Sequence, residues 1–165
     1  MRRGLIDQVL DLFRKSASGG EGSTTRKPAK ARKPPRSGAS ARDIDDNTAV
    51  FEYTPEMDGD PDPGEVVWTW VPYEDDPSQG KDRPVVIVGR RGQMLICVPL
   101  TSKQHNNEAQ VSVGTGSWDR EGRPSYAKLE RLLEVDPEKV RREGAILSRA
   151  HFDDVVAGVE RQHPR

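Results

Sequence analysis

Two short apolar runs constrain this chain more than any other feature. Val85-Val86-Ile87-Val88 follows Pro84, and Met94-Leu95-Ile96-Cys97-Val98 follows a polar connector, Gly89-Arg90-Arg91-Gly92-Gln93. Short β-rich runs joined by a polar loop with two glycines read as a β-hairpin. Arg83 opens the first strand, and Thr101-Ser102 closes the second with Lys103 next to it. The outer ends of a hairpin lie side by side. Arg83 and Thr101-Ser102 are therefore expected at one end of the sheet although they are far apart in sequence. A guanidinium fixed beside hydroxyls is a natural seat for a phosphate.

The net charge of −1 over 165 residues hides a dipolar layout. Residues 1–42 carry 11 Lys/Arg against 3 acids, residues 43–63 carry 8 acids and no Lys/Arg, and residues 64–165 carry 15 against 16. Within 1–15, Leu5, Ile6, Val9, Leu10, Leu12 and Phe13 recur at helical spacing and predict a short amphipathic helix. Residues 16–63 read as a disordered linker, basic and then acidic, because Gly, Ser, Pro and charge leave too little apolar surface to bury. The cations at 26–36 are suited to nonspecific nucleic-acid contact that weakens with salt. The acidic part is expected to lie across a basic cleft, with Val50, Phe51 and Tyr53 able to dock as a short extended piece. Its Asp58-x-Asp60-x-Asp62 run fails as a calcium loop: Pro63 stands where glycine is needed and Thr69 where a bidentate Glu is needed.

A folded domain is expected over 64–163. Val66 to Val71 forms a first strand, 72–82 a polar loop, then the hairpin, then a strand at Ala109–Val113. An irregular connection at 114–124 leads to one strand from Tyr126 to Val135. Asp136-Pro137 starts a helical turn, Gly144 to Leu147 adds a short strand, and Ser148 caps a final helix. The helix buries Phe152, Val155, Val156 and Val159 on one stripe. This is a mostly β chain, a small SH3-like barrel with a C-terminal helix behind a disordered N-terminal extension. Cys97, the single cysteine, sits in an apolar run and reads as a small buried hydrophobe. No run approaches the ~18 apolar residues of a membrane span. Asp7, Gln8 and Asp11 break up any secretory signal, so a cytoplasmic protein is expected.

Five motifs, in order, resemble the MazF/PemK toxin family. They are Gly64-Glu65-Val66-Val67-Trp68, Arg83-Pro84-Val85-Val86-Ile87-Val88, Val98-Pro99-Leu100-Thr101-Ser102, Pro124-Ser125-Tyr126-Ala127-Lys128-Leu129-Glu130 and Gly144-Ala145-Ile146-Leu147-Ser148. The resemblance implies the MazF/CcdB-like barrel and a metal-independent endoribonuclease. In that reaction a ribose 2′-hydroxyl of single-stranded RNA attacks its own phosphate. It also implies a homodimer and a cognate antitoxin protein as partner, and no cofactor.

By the same resemblance Arg83 and Thr101 match the family's active-site arginine and threonine. Lys128 and Glu130 stand where some members place an arginine and an aspartate in acid and base roles. Alternation along a strand puts Tyr126, Lys128 and Glu130 on one face, away from Ala127 and Leu129. Ser102, Lys103, Lys81 and His105 are expected to contact substrate, and Tyr73 and Trp118 to offer rings for base stacking. No Cys/His group has zinc spacing, so no metal is expected. A second reading keeps the barrel without catalysis: a module that binds nucleic acid, or a protein target such as gyrase.

Overall fold

A computed structural model of the chain describes residues 41–45, 48–56, 59–106 and 109–165. The expected helix within 1–15 and the basic tract 26–36 lie outside the described residues. Nine strands are described: β1 (Ala41–Asp43), β2 (Val50–Phe51), β3 (Glu65–Pro72), β4 (Gly80–Arg91), β5 (Met94–Thr101), β6 (Gln110–Gly114), β7 (Ser125–Lys128), β8 (Leu133–Val135) and β9 (Arg141–Ile146). A 3-10 turn at Pro137–Lys139 precedes β9, and helix α1 (Arg149–Gln162) closes the chain. The spatial order is β1-β8-β5-β4-β3-β9, with β2 added to β4, β7 to β5 and β6 to β7. All the pairings are antiparallel.

The hairpin is β4–β5, with Ile87 opposite Cys97 and Val85 opposite Pro99. Its runs are continuous rather than alternating because both faces of the sheet are buried. Val86, Val88, Ile96 and Val98 enter one core with Phe152, Val155 and Val159 of α1. Val85, Ile87, Leu95 and Cys97 enter a second core with Val67, Leu133 and Val135. Each such side chain, fully buried, stabilises the fold by about 1.5–3 kcal/mol relative to its exposed state. Cys97 is wholly buried, and burial pushes its thiol far above the ordinary range, so it behaves as a hydrophobe.

The helix starts where the sequence places it: Ser148 Oγ accepts the His151 N–H at 3.2 Å. Asp136 likewise caps the 3-10 turn through the Glu138 N–H.

Three expectations are corrected. The predicted strand from Tyr126 to Val135 is two strands, separated by a turn in which the Arg131 N–H reaches Lys128 O at 3.2 Å. β8 takes Leu95–Cys97 of β5 while β7 takes Leu100–Thr101 in a different register, and one continuous strand cannot serve both. The loop predicted over 72–82 shortens, because Gly80, Lys81 and Asp82 pair with Pro72, Val71 and Trp70. Polar composition yields there to a neighbouring strand.

The third correction concerns the acidic stretch. Where described, it is part of the fold rather than a linker, and it does not cross the cleft described below. Asp43 pairs with Leu133 in β1–β8, and Val50 with Arg90 in β2–β4. The docking of the Val50–Tyr53 piece holds: the Tyr53 ring lies 5.0 Å from that of Phe152, and its hydroxyl donates to Leu147 O at 2.7 Å. Gly89 is needed where β2 crosses, since a Cβ there would stand 2.2 Å from Val50 O.

Glu134 on β8 is clamped between Arg42 of β1 and Arg91 of the hairpin, its Oε2 accepting from Arg91 Nη2 at 2.8 Å. The Arg91 hydrogen bond is the main cause holding its carboxyl below the ordinary glutamate range; burial opposes it and Arg42 adds to it. A lowered native pKa stabilises the fold fully above the unfolded value, about 4.3, and the contribution is lost as pH falls through the native value. Glu134→Gln is therefore expected to flatten the acid limb of thermal stability below about pH 4.3, measured from pH 7 to 3. An unchanged acid limb would remove Glu134 from that role. Among the described residues, no helix is long and apolar enough to cross a membrane.

Candidate functional site

Beyond the Val85–Pro99 pair the hairpin strands part. β4 stays with β3, setting Arg83 opposite Thr69. β5 leaves with β7, setting Thr101 opposite Tyr126. Pro84 and Pro99, with no N–H for a ladder, stand at the parting. Between the diverging ends lies a cleft of about 540 Å³ with Arg83, Thr101, Ser102 and Lys103 in its wall. The two segments are brought together as the hairpin predicts, but across a gap wide enough for a ligand.

Arg83 is half-buried, and its Nε is buried with no hydrogen-bond partner among the described residues. Burial is the main cause lowering its pKa, the charge of Arg131 is the next, and Tyr73 and Glu74 act in the opposite direction. A guanidinium remains protonated at neutral pH regardless. Seven Lys/Arg and four carboxylates line the cleft. The carboxylates are committed elsewhere: Asp82 and Glu143 approach Arg141 at 3.8 and 3.2 Å, and Asp119 and Glu121 approach Arg123 at 2.9 and 3.8 Å. Glu65 is taken by Arg142, and Glu74, which acts on Arg83 at longer range, contacts Lys128 and Arg131. Among the described residues, Arg83 has no carboxylate in ion-pair range. Thr101 Oγ1 accepts the Lys103 N–H at 3.1 Å, which leaves its own O–H to donate.

Lys128 also lines the cleft, its Nζ 3.4 Å from Glu74 Oε2 and 3.8 Å from Glu130 Oε2. Glu130 is exposed in the turn after β7 and is not in the cleft wall, so the expected shared strand face ends at Lys128. Lys81 and His105 are in the wall, the His105 N–H donating to Gln110 Oε1 at 2.8 Å. Tyr73 is near Arg83 but outside the wall.

Trp118 is corrected as an exposed stacking ring. It lines the cleft but is only 4% exposed and packs in the main core, and its Nε1 donates to Ser125 Oγ at 2.9 Å, so its ring is held in the wall rather than offered to solvent. Sequence reasoning missed three contributors. Trp68 is in the wall, with the Arg141 guanidinium 5.5 Å over its ring. Arg131 is buried beside Arg83. The signal for Arg131 was its position among Leu129, Leu132 and Leu133, where a charge is out of place unless it is paired.

Fold and cleft together define a small, mostly antiparallel β-domain with one C-terminal helix, the MazF-like fold. The family model described as PemK-like, MazF-like toxin of type II toxin-antitoxin system matches residues 62–163, and the chain belongs to that family. Among solved structures, an endoribonuclease in complex with its cognate antitoxin from a mycobacterial species gives a TM-score of 0.49 at 14% identity, over 62% of this chain and 93% of that one. MazF from Deinococcus radiodurans gives 0.49 at 16% identity, over 63% and 96%. A MazE-MazF structure from the same organism gives 0.48 at 16% identity, again over 63% and 96%. No curated protein matches the sequence.

Proposed function

We propose that this chain is an endoribonuclease toxin that cuts single-stranded RNA without a metal. The ribose 2′-hydroxyl attacks the adjacent phosphorus, and the 5′-oxygen leaves. The observation that carries the reading is Arg83: a half-buried guanidinium in a cleft wall, its Nε without a hydrogen-bond partner among the described residues, while Asp82, Glu65 and Glu74 contact other cations. Burying a charge without a partner is costly, and proteins retain such a group where a ligand supplies the counter-charge.

The roles follow from charge flow. The phosphorane is more negative than the phosphodiester, and Arg83 offers it a planar two-donor fork. Thr101 donates its O–H to a non-bridging oxygen. Lys128 adds a second cation, with Glu74 at 3.4 Å and Glu130 at 3.8 Å as the carboxylates beside it. Ser102, Lys103, Lys81 and His105 surround the strand on either side of the scissile phosphate. Membership of a toxin–antitoxin family supports an antitoxin protein as partner; a second copy of the chain as the working unit is carried over from the resemblance alone.

The test is incubation with a long unstructured RNA in EDTA. Discrete cuts leaving 2′,3′-cyclic phosphate ends, lost in Arg83→Ala and Thr101→Ala, are expected. RNA that is bound tightly yet stays intact would make the domain a binding module instead.

A further inference from the structure

Outside the family-matched residues 62–163, strand β1 sends one charge toward the cleft. Arg131 Nε and Nη2 donate to the two oxygens of Asp43 at 2.9 and 2.8 Å, and Nη2 also donates to Pro72 O at 3.0 Å. The Arg131 side chain is 5% exposed. Its Nε lies 3.4 Å from Glu74 Oε2, the same oxygen that Lys128 Nζ approaches at 3.4 Å. Lys128 is in the cleft wall. Charges of alternating sign thus run Asp43, Arg131, Glu74, Lys128, from the N-terminal extension to the cleft. We propose that this chain of charges sets how much of the Lys128 charge is presented to a bound nucleic acid, with Asp43 as the residue that tunes it.

The argument is one of competition. Arg131 is buried, so its charge must be paired. Asp43 meets it with a bidentate hydrogen-bonded fork, the stronger geometry, and Glu74 makes only a longer contact. Glu74 is therefore left to neutralise Lys128. Without the Asp43 charge, Arg131 draws in the nearest carboxylate, Glu74, which is half-exposed and able to move. Lys128 is then left with only the longer 3.8 Å contact to Glu130, and more of its charge faces a phosphate. Asp43, Arg131 and Glu74 are positioning residues: they act through Lys128.

The inference rests on the cleft being the RNA site, so the probe is a 2′-O-methylated oligoribonucleotide, which binds there but cannot be cut by 2′-hydroxyl attack. Dissociation constants are titrated against salt with the full chain. Asp43→Asn is expected to bind about two- to fivefold more tightly at low salt, the range of one exposed ion pair. Its slope of log K against log salt should steepen by about 0.7, one more phosphate contact on a single strand. Glu74→Gln leaves both hydrogen bonds of the Asp43–Arg131 fork in place, removing only the longer 3.4 Å contact to Arg131 Nε, and must give the same steepening. In the Glu74→Gln background, Asp43→Asn should add nothing, whereas a purely structural role for β1 would act equally in both backgrounds.

An unchanged slope in Glu74→Gln, or an undiminished Asp43→Asn effect in that background, overturns the proposal. Were Asp43→Asn unable to fold, Glu74→Gln alone would still decide the matter. Failure of the nuclease reading registers separately, as intact RNA in the EDTA assay.

Discussion

Arg83→Ala is expected to slow RNA cleavage by about 10²–10³-fold, the usual effect of removing one preorganised donor from a developing oxyanion. Its thermal stability should stay level or rise. The wild-type Nε is buried without a hydrogen-bond partner among the described residues, so the folded protein already bears a desolvation cost that alanine removes. Loss of activity with retained or increased stability is the signature of a residue kept for chemistry rather than for the fold. Arg83→Lys preserves the charge but loses the planar fork, and should recover only part of the rate. Single-turnover cleavage in EDTA, paired with thermal melts of all three proteins, checks both halves. A large drop in melting temperature with cleavage intact would make Arg83 a structural cation and end the assignment.

The pairing of Arg83 with Thr101 was legible because it rests on strand topology alone. Any hairpin built on Val85–Val88 and Met94–Val98 brings its outer ends to the same end of the sheet, while the gap between them opens only because β4 stays with β3 and β5 leaves with β7. The turn chemistry around Ser148 and Asp136 was legible for a similar reason, since a cap is a local bond between near neighbours.

What escaped was decided by distant partners. β1 and β2 have three and two residues, too few for any periodicity to show. Their places are fixed by long-range contacts: Arg42 with Glu134, Asp43 with Arg131, Tyr53 with Leu147 O. Acidic composition read as disorder because nothing local reveals that the opposing arginines wait across the sheet. Trp118 escaped in the other direction. A glycine-rich stretch suggests an exposed ring, and only the fold shows that Ser125 receives its indole N–H and holds the ring in the cleft wall. Glu130 was misplaced because strand alternation was carried two residues past the point where β7 turns. The strand's end is set by the change of register between its pairing with β5 and that of β8, which its own sequence does not record.

The largest effect on stability is expected from Arg142→Ala, at about 3–5 kcal/mol, the cost of removing one partner of a buried ion pair. Glu65, at the start of β3, is 1% exposed and accepts from Arg142 Nε at 2.9 Å and Nη2 at 3.0 Å. The Asp62 N–H adds a weaker bond at 3.1 Å. The arrangement depends on a bulge. β3–β9 pairing steps from Val66–Ala145 to Val67–Arg142, and Gly144 takes φ +78 within the looped-out residues. Such bulges re-aim a side chain, here turning Arg142 toward Glu65, and Gly144 provides the positive φ without a Cβ penalty. With alanine at 142, a buried carboxylate would keep one backbone donor and no counter-charge. Against a typical total of about 5–15 kcal/mol, that loss leaves a marginal fold. The control is the double variant Glu65→Gln with Arg142→Met, which removes both charges at similar volume and should regain most of the loss, because a buried pair contributes little beyond its own desolvation. Urea denaturation of the three proteins reads the differences directly. Should Arg142→Ala cost under about 1 kcal/mol, water must reach Glu65, and the ion pair would be no more than a surface contact.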